Sequence, residues 1–265
     1  VKAMFTDLKF RDLHFLSRVN AINWGPIMCQ VTYYFSGAAS LGAPDRAVSF
    51  TVPTGNFGDI FAGFVALKMG LPIERLVIAT NDNDILARTL ETGTYEMRGV
   101  TATTSPSMDI QISSNFERLL FEASDRDSSD IRRMMASLKQ ARSFSIPQKS
   151  LTSIRSNFAA GSSTMAETSQ TISAMLADNG YLIDPHTAVG VKVAREQPHS
   201  TTPMIVLSTA HPAKFPDAVL AASGASPALP RHLADLMSRK ESLTRLPSDL
   251  KQVQDHISRH TRAAV

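Results

Sequence analysis

The clearest pattern of apolar and polar positions lies between residues 48 and 80. Val48–Val52 is a β-branched, apolar run typical of a buried strand, and Leu76–Thr80 is a second one. Between them, apolar residues recur at helical spacing from Ile60 to Leu67. The pattern predicts a strand–helix–strand unit. Such units build parallel sheets with helices on their faces, and their ligands bind at the carboxyl ends of the strands.

Apolar spacing and capping residues predict further elements on both sides of this unit. The chain up to about residue 40 is predicted to be helical. Thr164 and Glu167 form a capping box, so a helix is expected from there to Asn179-Gly180. Asp184-Pro185 begins another helix, with Asp184 as its cap, and the local role predicted for His186 and Thr187 is capping and packing.

The last third of the chain is predicted to contain one more strand and two polar helices. Met204–Leu207 is expected to be a buried strand, and the helices are expected around Leu233–Met237 and Leu250–Ile257.

Residues 92–112 show no clear period and are predicted to be loop and short strand. Asn81–Asp84 precedes a predicted helix through Leu90 and favours capping over metal binding, because its spacing fits no calcium loop.

A glycine-bearing turn, Pro-Thr-Gly-Asn-Phe-Gly-Asp at residues 53–59, joins the first strand to its helix. Gly55 and Gly58 let backbone N–H groups converge and let a bulky anion approach. The helix beginning near Asp59 adds unpaired N–H groups and the positive end of its dipole. The turn therefore predicts a phosphate site. The alternative is a plain tight connection, since the pattern is neither of the two common glycine-rich nucleotide motifs.

The same turn resembles the loop that grips the phosphate of pyridoxal 5′-phosphate (PLP) in threonine synthases, which are fold-type-II PLP enzymes. Other segments resemble that family in the family's order: Ala79–Asp84, Ser105–Ile110, Ser113–Leu119, Asp184–Ala188 and Ser208–Phe215. The resemblance implies an α/β fold with a parallel-type sheet flanked by helices. It further implies a helical segment from a smaller domain over 1–47 and a PLP-phosphate-binding large domain over 48–265, with a helical elaboration at about 113–150.

The resemblance also implies which residues would hold the cofactor. The phosphate would be bound by Thr54, Gly55, Asn56, Phe57, Gly58 and Asp59. Fold-type-II enzymes hydrogen-bond the pyridine nitrogen with a Ser or Thr hydroxyl near a strand end, and Thr209 is the candidate here, with Ser208 as the competing assignment. Lys214 would place a cation near the substrate, or it is a surface lysine.

A segment around Trp24 resembles the family's Asn-Ser-Ile-Asn segment near the substrate. It implies Asn20 and Asn23 as substrate-binding residues, although both also suit helix capping. Ala21 stands where the family usually has serine, and Pro26 stands where an arginine is common. Both departures remove a group able to bind the substrate phosphate.

The implied activity is conversion of O-phospho-L-homoserine and water to L-threonine and phosphate by a PLP-dependent carbon–oxygen lyase. The family's catalytic lysine, which binds the cofactor covalently, lies in a Phe-Lys-Asp-like motif that this sequence lacks. We therefore expect that Schiff-base lysine upstream of Val1, assign no catalytic residue within the chain, and expect the isolated chain to be inactive. Two alternatives stay open: a PLP phospholyase acting on another phosphorylated amine or amino acid, and a non-catalytic truncated or paralogous chain that binds ligands.

Composition and charge limit the kinds of partner that the chain is expected to bind. The chain has 265 residues, a net charge of +3 and no long block of like charges, so neither nucleic acid nor a membrane is an expected partner. A single cysteine, Cys29, excludes an internal disulfide framework, suits a reducing cytoplasm, and is expected to be a small buried apolar residue. No metal is expected, and an oligomer is compatible with the sequence.

Overall fold

The computed structural model describes residues 2–17 and 23–261. These residues divide into two compact units, one formed by the chain ends outside 21–229 and the other by residues 21–229. The division does not coincide with the boundary expected at residue 47, because the helix Trp24–Ala39 belongs to the larger unit. No helix within the described ranges is long and apolar enough to cross a membrane.

The larger unit contains all the strands found in the described residues. They are β1 (Val48–Pro53), β2 (Ile73–Thr80), β3 (Thr94–Glu96), β4 (Ser143–Ser145), β5 (Phe158–Ser162) and β6 (Met204–Val206). The helices there, numbered along the whole chain, are α3 (Trp24–Ala39), α4 (Gly58–Lys68), α5 (Ile85–Thr92), α6 (Phe116–Ala123), α7 (Ser128–Ala141), α8 (Gln148–Asn157), α9 (Met165–Asn179), α10 (Pro185–Arg195) and α11 (Pro216–Ser223).

Four parallel strands in the order β5-β2-β1-β6 form the central sheet. This confirms the predicted strand–helix–strand unit of β1, α4 and β2. Both sheet faces are covered, as the continuous apolar runs require. Leu76 and Ile78 face the main core with α3, α4 and α8, whereas Val77 and Ala79 pack with Val189 and Val193 of α10.

Two predictions about strands differ from the structure. β5 was missed, because Phe158–Ser162 is short and rich in small residues, and only its parallel pairing with β2 makes it a strand. β6 is half-buried rather than buried, because it lies at one edge of the sheet.

The segment predicted to be loop and helical elaboration forms its own small layer. β3 and β4 pair antiparallel, with α5 packed against β3 and α7 against β4. Their aromatic residues join the main core, where Tyr95 stacks on Phe144 at 5.0 Å between ring centroids. The capping box of Thr164 and Glu167 and the left-handed Gly180 that ends α9 are both confirmed.

The smaller unit contains α1 (Lys2–Thr6), α2 (Leu8–Leu13) and α12 (Leu250–His260). His14 is buried there, with Nε2 2.9 Å from the hydroxyl of Ser258. The helix expected around Leu233–Met237 is wrong: this stretch forms two 3₁₀ turns, Arg231–Leu233 and Leu236–Ser238.

Candidate functional site

A cavity of about 620 Å³ lies where the carboxyl ends of β1 and β6 open. Its wall contains the whole turn of residues 53–59 and the segment 207–210 that follows β6. The structure thus brings together the predicted phosphate turn and the predicted ring-nitrogen residue Thr209. The wall is completed by residues from four other segments: Gln30, Tyr33, Ser107, Met108, His186 and Lys214.

Aromatic packing fixes the backbone conformation of the turn at Phe57. Phe57 adopts a left-handed backbone conformation with φ of 66°, which is unfavourable for a bulky residue. Its side chain is fully buried and packs edge-on against Phe116, with 5.3 Å between the two ring centroids. The centroid of the Phe57 ring lies 6.0 Å from that of Phe158. Core packing therefore stabilises the backbone conformation that begins α4.

The turn's carbonyl groups face away from the cavity toward a short segment before α6. The Gly55 carbonyl accepts a hydrogen bond from the Ser113 hydroxyl at 2.8 Å. The Asn56 carbonyl accepts two bonds from Asn115, from its backbone N–H at 3.0 Å and from Nδ2 at 2.9 Å. In the described part of the chain, the N–H groups of residues 55 to 57 have no acceptor. The turn therefore presents donors to an anion, together with the unpaired N–H groups of the first turn of α4.

Gly55 is required by a close approach of two backbones. A Cβ on this residue would lie 2.5 Å from the carbonyl oxygen of Ser107. The loop carrying Ser107 is fixed by a buried polar network in which Asn81 and Asn83 donate to Asp109 at 2.7 and 3.0 Å. These asparagines therefore hold the cavity wall. Asp84 precedes α5 as predicted, but its side chain does not cap that helix and instead pairs with Arg88 at 2.7 Å.

Thr54 and Asp59, the first and last residues predicted to bind the phosphate, differ in the hydrogen bonds that their side chains make. The Thr54 hydroxyl donates to the Val52 carbonyl at 2.6 Å, so its proton is already committed. The Tyr34 hydroxyl is shared between the backbone carbonyl of Asp59 at 2.8 Å and the Asp59 carboxyl at 3.2 Å. Burial raises the pKa of Asp59 to about 6, although the bond from Tyr34 acts in the opposite direction.

A buried polar network at the start of α10 reaches the cavity. Asp184 caps the helix as predicted, accepting from the backbone N–H of His186 at 2.8 Å. Its Oδ1 lies 3.2 Å from Nδ1 of His186, and its Oδ2 accepts a short hydrogen bond from the Thr187 hydroxyl. The Thr187 hydroxyl is also 3.3 Å from Oγ of Ser208. Besides this local role, His186 is one of the residues that line the cavity.

Two buried side-chain polar atoms have no hydrogen-bond partner among the described residues: Oε1 of Gln30 and Nε2 of His186. Both residues line this one cavity. Burying an unpaired polar atom costs roughly 1–3 kcal/mol. Their occurrence in the same wall indicates a cavity shaped for a polar ligand that supplies the missing partners.

The remaining predicted residues have these positions. Thr209 is exposed and lines the cavity, as does Lys214, whose Nζ lies 5.5 Å from the centroid of the Phe215 ring. Asn23 is exposed at the N-cap position of α3, and Pro26 lies in the first turn of that helix. Asn20 and Ala21 lie outside the described residues. Cys29 is exposed, which corrects the expectation that it is buried.

Sequence reasoning missed Gln30 and Tyr33 as parts of the wall, because nothing in their local pattern points to a ligand. Ser107 and Met108 lie within one of the segments that resemble the threonine synthases, but the resemblance assigned no role to their side chains. Within the described ranges, no cluster of three or more His, Cys, Asp or Glu residues forms a metal site.

The parallel sheet with helices on both faces, and the glycine-bearing turn at the carboxyl end of its strand β1, define the α/β architecture of the fold-type-II PLP enzymes. The comparisons with known proteins give the family. A family model described as "Threonine synthase, C-terminal" matches residues 187–257. The threonine synthase of Pseudomonas aeruginosa is 47% identical over 262 residues, covering 98% of this chain and 56% of that protein.

Solved structures agree. The PLP-bound threonine synthase of Brucella melitensis is 66% identical and superposes with a TM-score of 0.96, over 98% of this chain and 56% of that one. The threonine synthase of Escherichia coli is 30% identical with a TM-score of 0.75, over 98% of this chain and 55% of that one. The chain belongs to the threonine synthase family, and it spans a little over half the length of these relatives.

Proposed function

We propose that this chain forms the cofactor-phosphate-holding part of a PLP-dependent threonine synthase, which converts O-phospho-L-homoserine and water to L-threonine and phosphate. The observation that carries the proposal is the turn of residues 53–59, whose carbonyls are tied to Ser113 and Asn115 while its N–H groups are left without acceptors. When bound, PLP withdraws electrons from the amino acid and so acidifies its Cα–H and Cβ–H bonds.

The cavity fits a ligand of this kind at both ends. The N–H groups of Gly55 to Gly58 would bind the phosphate group, and Asp59 would contribute through its backbone N–H, because its carboxyl is engaged by Tyr34. Thr54 would support the turn rather than donate, since its hydroxyl proton is bonded to the Val52 carbonyl. The unpaired atoms of Gln30 and His186 add two further points for a polar ligand.

At the other end of the cavity, Thr209 is favoured over Ser208 as the partner of the pyridine nitrogen. The Ser208 hydroxyl lies within hydrogen-bond distance of Thr187, in the network built on Asp184. Ser208 and Thr209 both line the cavity and are exposed, so the contact of Ser208 with Thr187 is what separates them. The neutral hydroxyl of Thr209 would donate to the ring nitrogen without adding charge.

On the substrate side, Asn20 and Asn23 remain the proposed binding residues. Pro26 in place of an arginine favours the second candidate, a PLP phospholyase acting on another phosphorylated amine or amino acid. Ala21, in place of the family's usual serine, favours the same candidate. The third reading, a ligand-binding chain without turnover, follows if the covalent lysine is missing from the complete protein. We place the protein in the cytoplasm, with O-phospho-L-homoserine as its small-molecule partner.

The test uses the full-length protein that carries this chain. It is purified with PLP, mixed with O-phospho-L-homoserine, and assayed for threonine and inorganic phosphate. Equal amounts of both products support threonine synthase activity. Phosphate release from other phosphorylated amines, with none from O-phospho-L-homoserine, would establish the phospholyase instead. PLP binding without release from any of them would leave the non-catalytic reading.

A further inference from the structure

The inference concerns His186, which the sequence alone assigned to local capping and packing. The residue is the second of α10, following the cap Asp184 and the first helical residue Pro185, and its side chain is only 5% exposed. One ring nitrogen, Nδ1, lies 3.2 Å from Oδ1 of Asp184. The other, Nε2, is the buried atom without a partner, and the residue lines the cavity.

The surroundings of Asp184 decide which nitrogen carries the proton. This fully buried carboxyl accepts bonds from the backbone N–H of His186, the N–H of Thr187 and the Thr187 hydroxyl. A group that receives several donors in this way acts as an acceptor, so Nδ1 of His186 donates to it. In the neutral ring Nε2 is then an acceptor with no donor facing it.

The ring is also fixed in place. It packs against Phe215 with 4.8 Å between ring centroids. Through Asp184 and Thr187 it is linked to Ser208, the residue before Thr209. His186 is thus tied to one of the two segments proposed to hold the cofactor, and it shares a cavity with the other. A pre-oriented polar atom in that place suits contact with the cofactor better than with a mobile substrate.

We propose that His186 is a further cofactor-contacting residue, whose Nε2 forms a hydrogen bond with PLP in this cavity while Asp184 fixes the ring. The inference rests on the proposed function, because PLP is the ligand invoked. A hydrogen bond of this type contributes about 0.5–1.5 kcal/mol, which corresponds to about a two- to tenfold change in Kd. We expect that weakening of PLP binding in His186→Gln.

The decisive measurement is made on the unmodified protein, and a variant is needed only to assign one signal. The full-length protein is labelled with ¹⁵N-histidine, PLP binding is followed by absorbance, and the ring nitrogens are observed by NMR in the same samples. The His186 signal is assigned by its loss in His186→Gln, or in His186→Asn if the first variant does not fold. His199 is exposed in the same unit, so its signal and the PLP affinity of His199→Gln serve as controls.

Movement of the Nε2 resonance of His186 on addition of PLP, with the His199 signal unchanged, supports the proposal. PLP binding without that movement overturns the His186 contact and leaves the proposed function standing. Movement only when inorganic phosphate is added to the PLP-bound protein would mark a contact with the substrate's phosphate and also overturn it. Failure of the protein to bind PLP would overturn both the proposed function and this inference.

Discussion

Gly55, Asp59 and Thr209 illustrate how single residues define the cavity. Gly55 is needed because a neighbouring carbonyl comes close, not because its own backbone is strained. Asp59 carries a carboxyl in a place where burial opposes its charge. Thr209 owes its position to the end of β6.

Gly55→Ala should weaken PLP binding and destabilise the fold. The added Cβ would lie 2.5 Å from the Ser107 carbonyl, so the turn or the loop carrying Ser107 must shift. Overpacking of this kind costs about 1–3 kcal/mol. PLP titration and thermal unfolding of the full-length protein measure both effects. Gly99→Ala is the control, because its Cβ would meet nothing within 4 Å; equal behaviour of the two variants would contradict the explanation.

Asp59 should make the unfolding free energy fall as the pH rises from about 4 to about 6. Its pKa is raised from 3.8 to about 6 in the folded chain, so in that window the folded state keeps a proton that the unfolded state has released. The loss is on the order of 2–3 kcal/mol. Urea unfolding of the 265-residue chain at both ends of the window, compared with Asp59→Asn, isolates the effect.

Tyr34→Phe provides the matched test of that explanation. The Tyr34 hydroxyl bond lowers the pKa of Asp59, so its removal should raise the midpoint of the Asp59 carboxyl titration above about 6. ¹³C NMR of the carboxyl reports this midpoint. A midpoint that stays the same or falls would show that the hydroxyl does not stabilise the ionised carboxyl.

Thr209→Val should keep the fold and most PLP binding but slow turnover, since one hydrogen bond of about 1 kcal/mol is lost. Thr209→Asp should instead raise the proton affinity of the ring nitrogen and shift the absorption of the bound cofactor. Steady-state kinetics and absorption spectra of the full-length protein distinguish them. If Ser208→Val gives these effects and the Thr209 variants do not, Ser208 is the ring-nitrogen residue.

At the scale of elements, the cavity depends on supports from outside the β1–α4 turn. Ser113 and Asn115, which lie just before α6, donate to the carbonyls of Gly55 and Asn56 and so turn them away from the cavity. The core aromatic residues Phe116 and Phe158 hold Phe57 in its left-handed conformation. The turn of residues 53–59 is thus stabilised by three later parts of the chain.

Asn115→Ala should weaken PLP binding while the fold remains. Nδ2 of this buried residue donates to the Asn56 carbonyl, and its loss leaves one of the two bonds to that acceptor. We expect about a two- to tenfold rise in Kd, equivalent to one hydrogen bond. Ser114→Ala is the neighbouring control, because that side chain is exposed. Equal affinities for the two variants would exclude this support.

At the scale of the whole molecule, the chain spans a little over half the length of its relatives, and the cavity described is one part of the proposed active site. The expected covalent lysine has no matching motif within it. Lys214 lines the cavity but lies in a different sequence context.

The 265-residue chain alone should release no phosphate from O-phospho-L-homoserine. Without the covalent lysine, both the anchor for the cofactor and a group that moves protons are missing. A phosphate assay of the purified chain with PLP, beside the full-length protein, measures this. Release by the chain clearly above the blank would contradict it and direct attention to Lys214.

The sequence by itself determined the β1–α4–β2 unit, the capped starts of α9 and α10, and the glycine-bearing turn between β1 and α4. Each is encoded within a few neighbouring residues, through β-branched runs, capping side chains and glycines. Tertiary structure alone decided that Phe158–Ser162 is a strand and that β6 is an edge. It also brought Gln30, Ser107 and His186 to one cavity. These features arise from contacts between distant segments, such as Ser107 against Gly55, and no local pattern of residues encodes such a contact.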